Sequence, residues 1–146
     1  MRVVRLRTGV VLGMEGGALR AMLRPFRLGL GGPVGTGLQW ISWIHAGDLA
    51  GLLLHAIDCP EVAGPLNGTA PEPVRQNDFA RALGRALGRP AILPAPAFVL
   101  GLLLGEMADS LLLTGQRAVP KKALDSRFLF HFPTLDGALA DLLSRR

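Results

Sequence analysis

Ser42, His45 and Asp48 stand three residues apart in "QWISWIHAGDLA", and their types are those of a nucleophile, a general base and an orienting carboxylate. Type alone does not make a triad. Ser42 falls in a strand-like stretch and Asp48 at a helix start, so the side chains would point in different directions, and no G-x-S-x-G elbow is present. A metal site built from His45, Asp48 and His55 is no better founded, because neither H-E-x-x-H nor a cysteine pair accompanies them. The expectation is therefore no catalytic residue and no metal ligand. Upstream, "GLGGPVGTG" has the freedom to approach a phosphate, yet it lacks the Walker Lys-Ser/Thr ending and leads into a strand, not a helix. It reads as a turn-rich connection that lets a ligand or the chain itself come close. Arg7, inside an apolar strand, must find an anion or carbonyl partners when buried, either as a substrate contact or as a structural donor.

The elements that would position these residues follow from pattern. Val3 to Leu12 is β-branched and stops at Gly13, predicting a strand. A short helix over Gly16 to Phe26 is stopped near Pro25 and Gly29, and Leu38 to Ile44 reads as a second strand. From Asp48 the stripe Leu49, Leu52, Leu53, Ala56 and Ile57 predicts a helix lying on a sheet, its first turn capped by Asp48. Gly64 to Ala70 is a third strand. The next helix turns Phe79, Ala82, Leu83, Ala86 and Leu87 inward and Arg81 and Arg85 outward, and closes at Gly88. An apolar core helix is expected over 94–113, a strand over Arg127 to Phe132, and a last helix with Thr134 as N-cap and Leu135, Ala138, Leu139, Leu142 and Leu143 buried. The order is mixed α/β.

Composition narrows the function classes. At 146 residues the chain fits one domain, and 49% apolar against 18% charged residues is far from the signature of disorder. The uncharged stretches are shorter than a bilayer span and are broken by Gly or Pro, so no membrane partner is expected. The lone Cys59 predicts a reduced structural thiol, and with no secretory leader the expected location is cytoplasmic. A net charge of +5, almost wholly from Arg, raises nucleic acid as a partner; the absence of Tyr and of basic runs argues against it. A buried-type strand with no preamble suggests that the chain starts partway through a larger fold.

Together, "VVRLRTGVVLG", "PFRLGLGGPVGTGLQWISWIHAGDLA", "GPLNGTAPEPV", "RPAILPAP", "LLLGEMADSLLLTGQRAVP" and "FLFHFPTLDGALADLL" resemble the C-terminal half of the epimerase-like extended short-chain dehydrogenase/reductases, in the subgroup ending in a small domain of unknown function. The resemblance covers essentially the whole chain, and "WIHxxDLA" and "GQRxxP" are its most specific segments. It implies an α/β fold, the C-terminal part of a Rossmann-type enzyme with its smaller substrate domain and with the N-terminal Rossmann half missing. Residues 1–146 would be one partial domain, 1–70 closing the Rossmann sheet with the substrate-side loop and 71–146 forming a helical substrate-side region. It also implies NADP or NAD as cofactor of a complete member, with Thr8, Gly9, Val10 and Val11 near the nicotinamide. The glycine loop and "QWISWIH" would line the substrate side, with Arg7, Gln39, Trp43 and His45 as contacts to a small molecule.

The Gly-rich dinucleotide turn and the Tyr-x-x-x-Lys pair of that family are absent from this chain, which has no Tyr at all. The expectation is a half that binds no cofactor stably and is not catalytic alone, whose partner is the N-terminal Rossmann half or a second copy of itself. A non-enzymatic interaction module is the alternative. The chain also departs from the pattern. Leu38 stands where a basic residue is usual, Gly47 where an acid is, Arg75 at a Ser/Thr cap position, and Arg127 at a Gly position.

Overall fold

The computed structural model describes residues 1–93, 105 and 115–145. The apolar helix expected over 94–113 lies outside the described residues, Gly105 excepted.

The strand expected over Val3 to Leu12 is two strands, β1 (Val4–Thr8) and β2 (Val10–Leu12). They share a backbone path but have different neighbours. β1 pairs in parallel with β5 (Gly64–Gly68), Val4 opposite Gly64 through Thr8 opposite Gly68, whereas β2 pairs in parallel with β4 (Trp43–His45). The exchange happens at Gly9, whose N–H still donates to Gly68 O at 3.2 Å while the next, from Val10, donates to Ser42 O at 2.8 Å. A Cβ at residue 9 would collide with that same Ser42 carbonyl, so this crossing of ladders requires glycine.

The strand expected over Leu38 to Ile44 is likewise divided, into β3 (Trp40–Ile41) and β4, and β3 pairs antiparallel with β6 (Val74–Arg75). Helix α1 (Gly17–Arg27) runs through Pro25 and does not stop at it. Pro25 sits in the last turn, and the amides that follow still find carbonyls: Leu28 N–H reaches Arg24 O at 3.2 Å and Leu30 N–H reaches Pro25 O at 2.9 Å.

Helix α2 (Ala46–Asp58) begins earlier than the pattern placed it, and its N-cap is His45, not Asp48. Its buried face is Asp48, Leu52 and Ala56, whereas Leu53 and Ile57, expected inward, are 45% and 68% exposed. A helix apolar nearly all round carries no mark of which third meets the core. Helices α3 (Gln76–Leu87), α4 (Lys121–Asp125) and α5 (Leu135–Ser144) complete the described elements. In α3 the inward set holds except for Ala86, which is exposed.

Two apolar cores result. One gathers Leu12, Leu19, Trp43, Phe79, Leu83 and Leu139 between α1, α3 and α5, and the other gathers Ile44, Leu52, Val62, Leu66 and Ala123 beneath α2. The "RFLFHF" segment does not join a sheet. It keeps the alternation expected of it, with Phe128 and Phe130 packed on the second core and Leu129 82% exposed, but among the described residues no strand pairs with it.

Candidate functional site

A cleft of about 1150 Å³ opens where the parallel strands β1 and β5 reach their carboxyl ends. The last residues of β1 and the switch into β2, Thr8, Gly9, Val10 and Val11, form one wall, and Asn67 and Thr69 at the end of β5 form another. Trp40, Ile41 and Ser42 supply a third, and the segment 115–119 closes the cleft from the opposite side. That closing segment is pinned by side chains of the sheet. Ser42 Oγ donates to Gln116 O at 2.7 Å and accepts from Ala118 N at 2.9 Å, and Asn67 Nδ2 donates to Val119 O at 3.1 Å. Ser42, the break between β3 and β4, is thus spent on holding a wall.

The electrostatics are one-sided. Among the described residues Arg7, Arg117 and Lys121 line the cleft and no carboxylate does, although Lys121 has Asp125 at 2.7 Å. Arg117 lies over the Trp40 ring, 5.2 Å from its centroid, and Arg75 lies 4.1 Å from the same ring. The hydroxyl of Thr69 is buried and has no partner among the described residues, a polar group on the wall of the cleft with unused hydrogen-bonding capacity.

Of the residues singled out from sequence, Arg7, Thr8, Gly9, Val10 and Val11 come together on this cleft. Gln39, Trp43 and His45 do not line it. Trp43 is fully buried, its indole N–H donating to Glu72 O at 3.0 Å, and Gln39 lies beside the cleft, within reach of Val34 O and Thr36. His45 is 3% exposed and stacked on Phe132 with centroids 4.0 Å apart. Its Nδ1 accepts the Gly47 N–H at 2.9 Å, which leaves Nε2 to donate to Asp141 Oδ2 at 2.9 Å. Burial raises the Asp141 carboxyl, but the hydrogen bond from His45 together with the bond and charge of Arg145 outweighs it and holds the group below the usual carboxylate range.

Asp48 is buried too, and it does not cap α2. Its two oxygens accept the N–H groups of His131 and Phe132, each at 2.9 Å, so it holds the segment that no strand pairs. Ser42, His45 and Asp48 therefore serve three separate partners. His55 bonds Ser126 Oγ at 2.9 Å, and among the described residues no His, Cys, Asp and Glu group could hold a metal. The glycine loop is not a cleft wall either. The Phe26 ring and the Leu93 backbone occupy the places that side chains at Gly31 and Gly32 would need. What sequence reasoning missed is the wall formed by residues 115–119, because its hydrogen bonds join residues more than fifty positions apart.

A family model described as a domain of unknown function (DUF1731) matches residues 95–142. The mouse epimerase family protein SDR39U1 is 51% identical over 144 residues, 98% of this chain and 49% of that protein. The epimerase family protein YfhF of Bacillus subtilis is 44% identical over 146 residues, 100% of this chain and 48% of that protein. Among solved structures, human epimerase family protein SDR39U1 (isoform 2) with NADPH superposes with a TM-score of 0.90 at 46% identity, covering 99% of this chain and 49% of that one. The chain spans about half the length of the curated relatives it matches.

Proposed function

The chain is homologous to epimerase-family proteins over about half of their length, and from that premise we propose that it is the substrate-side, C-terminal half of an NAD(P)-dependent epimerase-like reductase. The observation that carries this reading is the position of the cleft. In open α/β sheets, ligands bind outside the carboxyl ends of parallel strands, where β1 ends in Thr8 and β5 in Gly68. The solved human relative was crystallised with NADPH. The residues present here fit the nicotinamide end of such a cofactor: among the described residues the Thr69 hydroxyl has no partner, so it offers a donor and an acceptor, and no carboxylate lines the cleft to oppose an anionic dinucleotide. Thr8 to Val11 would hold that end, with Arg7 placed for the substrate.

When bound, the cofactor would supply hydride chemistry. This chain would supply the pocket walls, exclude water through the 115–119 segment, and leave the proton donor to the other half, since it has no Tyr. NADPH binding, followed by nicotinamide fluorescence, is expected when the chain is reconstituted with the Rossmann half of a close relative. A Thr8→Trp variant that keeps its melting temperature should lose it. Reconstituted protein that binds NADPH equally well with Trp at position 8 would refute this placement.

A second reading, an interaction module, is favoured by one observation. The outer face of α2 presents Leu53, Leu54 and Ile57, and β1 has a strand on one edge only among the described residues. Both features suit a partner that completes the sheet, so this reading shares the missing Rossmann half with the first and differs in needing no ligand in the cleft.

A further inference from the structure

Beside the cleft, and touching it at Gly17, a second concavity of about 750 Å³ runs along α1. Met14, Ala21 and Leu23 contribute its apolar lining, and Arg20, Arg24 and Arg27 its charged lining. Residues four and three apart on a helix share a face, so the three guanidinium groups arise within about 10 Å of one another along the axis and their long stems can converge.

Among the described residues no carboxylate pairs with them. α1 contains no acidic residue, and Arg24 and Arg27 make no ion pair or hydrogen bond among the described residues. Arg20 finds only the Glu15 backbone carbonyl at 3.2 Å. On or beside the other described helices most cations have a carboxylate partner, Arg81 with Asp78, Arg85 with Asp136, Lys121 with Asp125 and Arg145 with Asp141, while Lys122 donates to Ala63 O. The helix dipole gives a structural reason for Arg24 and Arg27 in the last turn, but it opposes Arg20, which lies near the amino end. Like charges one turn apart repel, and an anion between them would turn that cost into binding.

We propose that this groove is a binding site for a phosphate-bearing small molecule, separate from the cleft at the strand ends. A phosphoryl group presents three acceptor oxygens, enough for one bond from each guanidinium, whereas a carboxylate presents two. The apolar lining of Met14 and Leu23 would face the remainder of the ligand.

The test is calorimetric titration of the full chain with inorganic pyrophosphate, with citrate as a carboxylate of comparable charge. Arg20→Gln, Arg24→Gln and Arg27→Gln are each expected to weaken pyrophosphate binding about fivefold or more, and the triple variant to abolish it. Arg81→Gln, which removes an exposed cation already paired with Asp78, should leave it unchanged, and circular dichroism should show every variant folded. Equal binding by the triple variant, an equal loss from Arg81→Gln, or citrate binding as tightly as pyrophosphate would each overturn the proposal. So would tighter binding of a poly-glutamate peptide or a single-stranded oligonucleotide, which would make the groove a macromolecular contact. The inference does not depend on the NADPH reading, and neither result decides the other.

Discussion

Asp48 shows how a side chain can be assigned to the right neighbourhood and the wrong task. An acid in the first turn of α2 is legible from the sequence as a cap, and a cap tolerates Asn. In the structure both carboxylate oxygens are used, 1% exposed, on the amides of His131 and Phe132. Replacement by Ala leaves two part-buried N–H groups unmet and is expected to cost about 2 kcal/mol in urea denaturation. Asn keeps one acceptor but turns an NH₂ toward the other amide, so it should cost nearly as much. An Asn variant as stable as wild type would restore the capping account. Asp141 gives a pH-dependent counterpart. Its carboxyl is held below the usual range when folded, so its contribution is present above the ordinary carboxylate value of about 3.9 and is lost as pH falls through the lowered one. The stability difference between wild type and Asp141→Asn should therefore shrink in that acid window and stay constant from neutral pH down to about 5. A difference that grows on acidification would exclude the linkage. Arg127, flagged by resemblance at a usual Gly position, does adopt φ 62°, the left-handed region that glycine favours.

At the scale of elements, periodicity found α5 with its Thr134 cap, α3 with its Gly88 stop, and the strand that became β5. What pattern could not convey was where a ladder changes partner. Val3 to Leu12 reads as one strand because its side chains keep β-type chemistry throughout, and the backbone exchange at Gly9 leaves no periodic trace. The Phe128 to Phe132 segment fails for the complementary reason: its faces alternate as a strand's do, yet its last two amides are met by a carboxylate and its first by the Ala123 carbonyl. Gly9 carries a direct test. Gly9→Ala would drive a methyl into the Ser42 carbonyl and should destabilise by about 3 kcal/mol, whereas Gly16→Ala, which meets open space, should change stability by well under 1 kcal/mol. Equal effects at the two positions would mean that the ladders do not cross at residue 9. Thr8 to Val11 lie on the cleft, but only the family resemblance pointed to them, since the pattern ran one strand through them; the 115–119 wall was not legible, because Ser42 and Asn67 reach it across the chain. Arg75 caps nothing with its side chain, which instead reaches Leu38 O at 2.6 Å and the Trp40 ring.

For the whole molecule, the edge of β1 that no strand pairs among the described residues and the apolar outer face of α2 set the expected solution behaviour. An uncovered parallel-type strand pairs readily with another chain, and Arg5 and Arg7 guard only one side of it. The isolated chain should self-associate in sedimentation velocity, and a separately expressed Rossmann half should return it to a defined heterodimer. A stable monomer with strongly protected Val4 to Thr8 amides would show that the chain needs no such partner. The links from His45 to Asp141 and from Asp48 to His131 and Phe132 span 96, 83 and 84 positions in the sequence. A chain emerging from the ribosome amino end first must therefore make residues 131 to 141 before the start of α2 is secured. Until then a carboxylate destined for burial stays in water and the parallel pairing of β2 with β4 lacks its support. Ribosome-bound chains halted before residue 131 would expose β1 and α2 together, which makes the interval between the synthesis of α2 and that of residue 131 the one in which a nascent-chain chaperone has most to bind.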